Sequence, residues 1–245
     1  MKQISLIFPN QLFKNSPILK FNCEILILED SLFFGNDKFH KLVNHKSKLI
    51  FHRASMHAYK KYLEKSGFQV LYIENKNNIS TFDYLSKHLK DKYQKINLIN
   101  PHDFLIMKRV KNFSEKNNLQ LNIVPSPMFL TKKDLRKLFE LNAKKPLMGR
   151  FYENQRKSQK ILIDSDDKPL GGKWSFDEMN RKKLPKKIKI PVIPNLPKNE
   201  FVVNAEKSIL NSNIEFIGKS NYFLYPTNFE EADNWLNDFL EYRFS

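Results

Sequence analysis

A chain of 245 residues with a 41% apolar share can bury one large core, or one core with an appendage, which excludes disorder throughout. The formal net charge of +16 suits a polyanionic partner, although Asn, Lys, Ile and Phe are abundant together, so part of the basicity is compositional drift. A single cysteine, Cys23, excludes an internal disulfide, a cysteine-built zinc site and a four-thiolate iron–sulfur site within these residues.

Lys2 to Phe8 is a short β-rich run closed by Pro9-Asn10, and Glu24 to Leu28 is a continuous apolar run of the kind covered on both faces. The N-terminus enters the first run without a charged-then-apolar signal segment, and no apolar run approaches ~18 residues, so a cytoplasmic protein without membrane spans is expected. From Phe39 to Lys65 apolar and small residues recur at helical spacing and predict one long helix, broken near Ser47 and stopped by Ser66-Gly67. Phe68 to Ile73 is a third strand, and Ser80-Thr81-Phe82-Asp83 opens a helix to about Lys90. Ile96 to Ile99 is a fourth strand, followed by a helix from about Phe104 to Lys116 and a fifth strand, Leu119 to Val124.

Strands separated by single helices imply right-handed crossovers and a doubly wound, five-stranded parallel sheet of Rossmann-like type. In such sheets ligands sit beyond the carboxyl ends of the strands, where the strand order reverses. The strand-end loops contain neither G-x-G-x-x-G nor a Walker-type G-K-[ST], so a conventional dinucleotide or P-loop site is absent.

Thr131 then caps a helix to about Leu141, and Leu147 to Lys160 reads as another. The stretch Pro169 to Pro185 is a connector without apolar period: Gly171-Gly172 admits backbone conformations closed to residues with Cβ, and Trp174 and Phe176 offer anchors. Pro191, Pro194 and Pro197 make Lys186 to Lys198 an extended linker. Asn228 caps a final helix whose Ala232, Trp235, Leu236, Phe239 and Leu240 form one apolar face. The expected domains are an α/β domain over 1–145, a helix, connector and basic linker over 146–198, and a helical start over 199–245. Charge is concentrated in the middle. Residues 131–198 hold 19 Lys/Arg and 8 Asp/Glu, net +11, leaving +5 for the other 177 residues.

Candidate chemistry is sparse. His45, His52 and His57 lack the i, i+4 spacing of metal-binding helices, there is no G-x-S-x-G elbow, and Glu29 with Asp30 has no identified partner base. Lys46 and Lys48 could reach a polar ring or phosphate at the strand ends, or simply form a solvated helix start. The residues alone indicate a ligand-binding α/β domain rather than a self-contained catalyst.

Several motifs nevertheless converge in order: Phe8-Pro9-Asn10-Gln11-Leu12, Leu28-Glu29-Asp30-Ser31-Leu32-Phe33-Phe34-Gly35, His45-Lys46-Ser47-Lys48-Leu49 with Ala54-Ser55-Met56, Phe151-Tyr152, and Gly171-Gly172-Lys173-Trp174-Ser175-Phe176-Asp177 with Asn180-Arg181. Together they resemble the deoxyribodipyrimidine photolyase-related proteins, the iron–sulfur bacterial cryptochromes and six-four photolyases. Tyr225-Pro226-Thr227 with Glu230-Glu231-Ala232 and Trp235-Leu236 is similar to the start of that family's helical half.

The resemblance implies a light-driven flavoprotein of two halves. One is an α/β half with an antenna chromophore, typically a ribityl-lumazine; the other is helical and carries FAD, a four-cysteine iron–sulfur cluster and a DNA-lesion pocket. This chain matches the first half, so lyase chemistry is not expected to be complete within it. Carried over position by position, the antenna pocket involves Asn10 and Gln11 at the first strand, Glu29 and Phe33 at the second, and Lys46 with Lys48 on the facing helix. Where many relatives carry a carboxylate this chain has Phe33, so ring stacking replaces a hydrogen bond. The final helix, 228–243, then calls for a cover: a separately encoded helical half, a second copy, or the α/β domain itself. The competing expectation is a basic module that binds DNA through residues 131–198 without photochemistry.

Overall fold

A computed structural model describes residues 1–75, 80–131, 147–183, 186–221 and 223–244. Five parallel strands form the main sheet: β1 (Gln3–Ile7), β2 (Glu24–Leu28), β4 (Val70–Ile73), β5 (Lys95–Ile99) and β6 (Gln120–Val124), in the order β4-β2-β1-β5-β6. Each predicted strand is found, within two residues at either end. The fold is a doubly wound α/β sheet, and its order reverses between β1 and β5.

The alternation of side chains makes two cores. Ile7, Ile25, Ile27 and Ile99 face one side, under α2 (Lys46–Lys65) and α6 (Glu200–Leu210). Ile4, Leu6, Leu26, Leu28, Ile96 and Leu98 face the other, under α3 (Thr81–Leu89) and α4 (Phe104–Lys116). Both faces are therefore dry, as the unbroken apolar run Glu24 to Leu28 foretold. α3 opens on a reciprocal capping box, the Ser80 and Asp83 side chains each accepting from the other's backbone N–H.

The long helix differs from expectation at its start. Residues 39–45 are not helical, because Asp37 turns the chain by accepting from the backbone N–H of Phe39 and His40. A four-residue helix, α1 (Ser31–Phe34), precedes that turn and ends at Gly35 with φ +81°; a Cβ there would lie 2.0 Å from the Leu42 carbonyl oxygen. Asn44–His45 forms a short strand, β3, parallel to β7 (Phe216–Ile217), and His45 then caps α2 by accepting from Ser47 N–H. Gly218 must be glycine on two counts: φ is +79°, and a Cβ would lie 1.9 Å from the His45 ring.

α6 is not among the predicted elements. Asn199 caps it, and Val202, Ala205 and Ile209 bury its inner face against α2. Through α6 and β7 the segment after the proline linker becomes part of the α/β body. The final helix, α7 (Phe229–Tyr242), forms as predicted with Asn228 at its cap, yet none of its residues is buried. Leu236, Phe239 and Leu240 are exposed.

The described chain divides into two compact units, 1–127 with 192–245, and 128–191. In the second, the helix α5 (Met148–Gln159) ends at Lys160 in the left-handed region. The predicted helix from Thr131 to Leu141 lies outside the described residues. Arg156 organises the unit: it is buried and donates to the carbonyls of Ile161, Leu162 and Trp174, and its guanidinium lies 5.2 Å from the Trp174 ring centroid. Gly171 and Gly172 take φ of +81° and +75°, as their pairing suggested. Trp174 is the anchor of the connector, whereas Phe176 stays 60% exposed.

Candidate functional site

The six residues singled out from the sequence fall in three places. Gln11 is buried at the reversal point, accepting from Phe8 N–H at 3.1 Å and donating to the Ile99 carbonyl at 2.8 Å. Asn10 beside it donates to the Pro101 carbonyl at 3.0 Å, and its Oδ1 is buried without a hydrogen-bond partner among the described residues. These two amides stitch β1 to β5 across the crevice. The open space lies next to the switch point instead of in it.

Glu29 is fully buried and its oxygens are committed. They accept from Arg53 (closest 2.5 Å), from the Tyr72 hydroxyl at 2.6 Å and from Asn75 N–H at 2.9 Å. Charge-assisted bonds from a buried bidentate guanidinium hold the carboxylate in the interior. Burial acts against the charge on Arg53, but the Glu29 hydrogen bonds outweigh it and raise its pKa.

Phe33, Lys46 and Lys48 gather around the start of α2. Asn44 links two of them, donating to the Phe33 carbonyl and accepting from Lys48 Nζ at 3.1 Å. Lys46 Nζ lies 3.8 Å from Glu206 and 5.8 Å from the Phe216 ring centroid. Phe33 meets His52 edge-on at 6.0 Å. Both ring nitrogens of His52 are buried among Phe33, Phe34 and Phe51, with no hydrogen-bond partner among the described residues. Burial, aided by the Lys48 charge, lowers its pKa to about 4, so the ring is neutral at pH 7.

A second carboxylate cluster sits beyond β2. Burial raises Asp30 to about 6, despite hydrogen bonds from Thr81 and Leu32 N–H. Burial also acts to raise Asp37, but Arg109, Ser31 and Phe39 N–H overcome it and hold that carboxyl well below the usual range.

A groove of about 850 Å3 lies at the carboxyl end of β1. Rings form much of its wall, Phe13 after β1, Phe51, Tyr59 and Tyr62 along α2, and Phe229 at the start of α7, and Asn10, Lys61, Lys65 and Asp233 are among its polar lining. Tyr59 and Tyr62 stack at 5.9 Å, and Phe229 stands edge-on to both. The Tyr59 and Tyr62 hydroxyls donate to the carbonyls of Phe13 and Lys14, which fixes the rings. Lys14 pairs with Asp233 at 3.0 Å and ties down the first turns of α7. Of the six sequence candidates only Asn10 lines this groove. Positions 51, 55, 59 and 62 share one helical face, which a sequence can reveal; Phe13 and Phe229 join them only through the fold.

The doubly wound α/β sheet is of Rossmann-like class, and in such sheets the strand ends are where ligands sit. The chain belongs to the deoxyribodipyrimidine photo-lyase-related protein family, whose model matches residues 5–225. It is 38% identical over 197 residues to an uncharacterized protein of Acanthamoeba polyphaga mimivirus, an alignment that takes in 77% of this chain and 98% of that protein. It is 24% identical over 196 residues to the (6-4) photolyase of Agrobacterium fabrum, covering 78% of this chain but 36% of the photolyase. The region shared here thus amounts to nearly all of the viral relative and about a third of the bacterial one.

Proposed function

We propose that this chain is the antenna-type half of a light-dependent flavoprotein of the photolyase and cryptochrome class, and that it binds a flat heteroaromatic chromophore of the ribityl-lumazine kind. One observation carries the reading: a groove of about 850 Å3 is lined by the rings of Phe13, Phe51, Tyr59, Tyr62 and Phe229. Tyrosine and phenylalanine rings stack on or edge against a fused ring. FAD and iron–sulfur chemistry, and with them DNA repair or light signalling, would belong to the region of the photolyase that this chain does not match.

Purified protein titrated with ribityl-lumazine, riboflavin or a folate should show saturable quenching of chromophore fluorescence and an induced near-ultraviolet to blue dichroic band. Tyr59→Ala should weaken that binding at least tenfold, a cost of about 1.4 kcal/mol. If none of these chromophores binds, the reading falls.

A second reading has its own observation. Arg181, Lys182, Lys183, Lys186, Lys187 and Lys189 are all exposed, and among the described residues none forms an ion pair with a carboxylate. Such free cations suit nucleic-acid phosphates, and affinity for duplex or single-stranded DNA would fall steeply with salt. Binding that is absent at low salt, or indifferent to it, removes this reading.

A further inference from the structure

Two surfaces of this protein are apolar, exposed and opposite in charge. The first is α7. Ala232, Leu236, Phe239 and Leu240 recur at helical spacing and share one face, and all four are exposed. Glu230, Asp233 and Glu241 follow the same helical period and make an acidic row along the flank of that face. From Asn228 to Phe244 there are five carboxylates against the single Arg243, in a chain whose net charge is +16. Glu230 and Glu241 form no ion pair among the described residues.

The second surface is the linker. Between Asn180 and Asn199 it carries seven cations and no carboxylate. Residues 186–193 are all exposed, and they include Ile188, Ile190, Val192 and Ile193, with Ile190 at 82% and Val192 at 88%. The prolines deny this stretch the usual ways of covering apolar side chains, and from Ile188 to Lys198 it forms neither helix nor strand. Scattered exposed aliphatics need no explanation, but a contiguous run of them marks an interaction site. Nucleic-acid phosphates would engage the lysines and leave the aliphatics in water.

We infer that α7 docks on the linker of a second copy of this chain. The linker aliphatics pack on Leu236, Phe239 and Leu240, and the lysines beside them meet the acidic row. An apolar centre with a rim of complementary charge is how protein interfaces combine affinity with specificity. Pairing α7 with α7 would instead bring two acidic helices together. Because the two patches differ, the contact is heterologous: each copy offers one helix and one linker. This interface is independent of any ligand in the aromatic groove.

The test follows the mass of the full chain by sedimentation velocity over a range of concentrations. At low salt the mass should rise above 29.2 kDa with concentration, and about 0.5 M salt should shift it back toward the monomer. Two double variants, Leu236→Ser with Phe239→Ser and Ile190→Ser with Val192→Ser, change exposed positions and keep every charge. Each alone should associate at least about tenfold more weakly than the parent. Mixed, they should form a one-to-one complex, because the intact linker of the first receives the intact helix of the second and no site is left for a third copy. A parent that stays monomeric at every concentration would overturn the inference, and so would a linker variant that associates like the parent. Failure of the two variants to complement each other would also overturn it, since a helix that pairs with its own kind cannot be rescued by an intact linker.

Discussion

The α/β body and the unit 128–191 handle positive charge in opposite ways. In the body, Arg53 and Arg109 are drawn inside and each is matched to a carboxylate, Glu29 or Asp37, with further donors completing the shell. In the other unit the buried cation, Arg156, donates to carbonyl oxygens and has aromatic rings beneath it, while the cations from 181 to 189 stay at the surface and form no ion pair among the described residues. Charge in the body is a structural fastening for the strand ends. In the connector, one cation holds the chain in shape, Lys157, Lys160, Lys168 and Lys173 pair with nearby carboxylates, and those from 181 to 189 carry their charge at the surface.

The largest effect expected from breaking this contrast is Arg53→Met. It leaves Glu29 buried with no countercharge, and removing one partner of such a pair costs about 3–5 kcal/mol. The urea midpoint of the body should fall by more than for any other single change described here; a loss under ~1 kcal/mol would mean that water reaches Glu29. Arg156→Lys comes next, at about 3 kcal/mol, because an ammonium cannot serve the carbonyls of Ile161, Leu162 and Trp174 together and no longer stacks on the ring. Its effect should be confined to the unit 128–191. Hydrogen exchange should quicken there and stay unchanged in β1, β2 and β5; faster exchange in those strands would contradict the division into two units.

His52 gives an effect of intermediate size that depends on pH. Its folded pKa is about 4, below the 6.5 of an unhindered imidazole, so between those values the unfolded chain binds more protons than the folded one. The stability contributed by the neutral ring is therefore complete above pH 6.5 and is lost as pH falls toward 4. Between pH 7 and pH 5 this amounts to ~2 kcal/mol. Asp30 works the other way: its raised pKa means that the folded state takes up the proton first, adding stability as pH falls through about 6. His52→Leu should keep its stability at pH 7 and lose ~2 kcal/mol less than the parent between pH 7 and pH 5. Parallel pH profiles for variant and parent would show that the imidazole charges freely in the folded state.

The body was more legible in the sequence than the site, and the reason is range. Strands such as Glu24 to Leu28 declare themselves locally, because burial on both faces leaves an unbroken apolar run. The helix over 46–65 shows its apolar period but not its start, which depends on Asp37 turning the chain and on a strand pair with residues 216–217. α6 carried a local signal in Asn199 and the apolar positions 202, 205 and 209, directly after three prolines that mark a linker. Glu29 could be picked out as a carboxylate at a strand end, but nothing local says that Arg53 and Tyr72 would close over it. The aromatic groove needs residues 13, 59 and 229 to meet, and no spacing rule spans that distance.

The smallest expected effect sharpens the same contrast from the surface side. Lys14 and Asp233 pair at 3.0 Å, longer than the buried pairs, and the side chains are 55% and 59% exposed. Water already solvates both charges, salt screens them, and holding two long side chains in one geometry costs entropy, so exposed pairs contribute about 0–1 kcal/mol. Lys14→Ala should lower stability by no more than ~0.5 kcal/mol, an amount erased by high salt. The same pair ties the first turns of α7 against the aromatic groove, so ligand affinity should respond more than stability does. If the two change equally, the first turns of α7 are held by Phe229 between Tyr59 and Tyr62, and the surface ion pair is incidental.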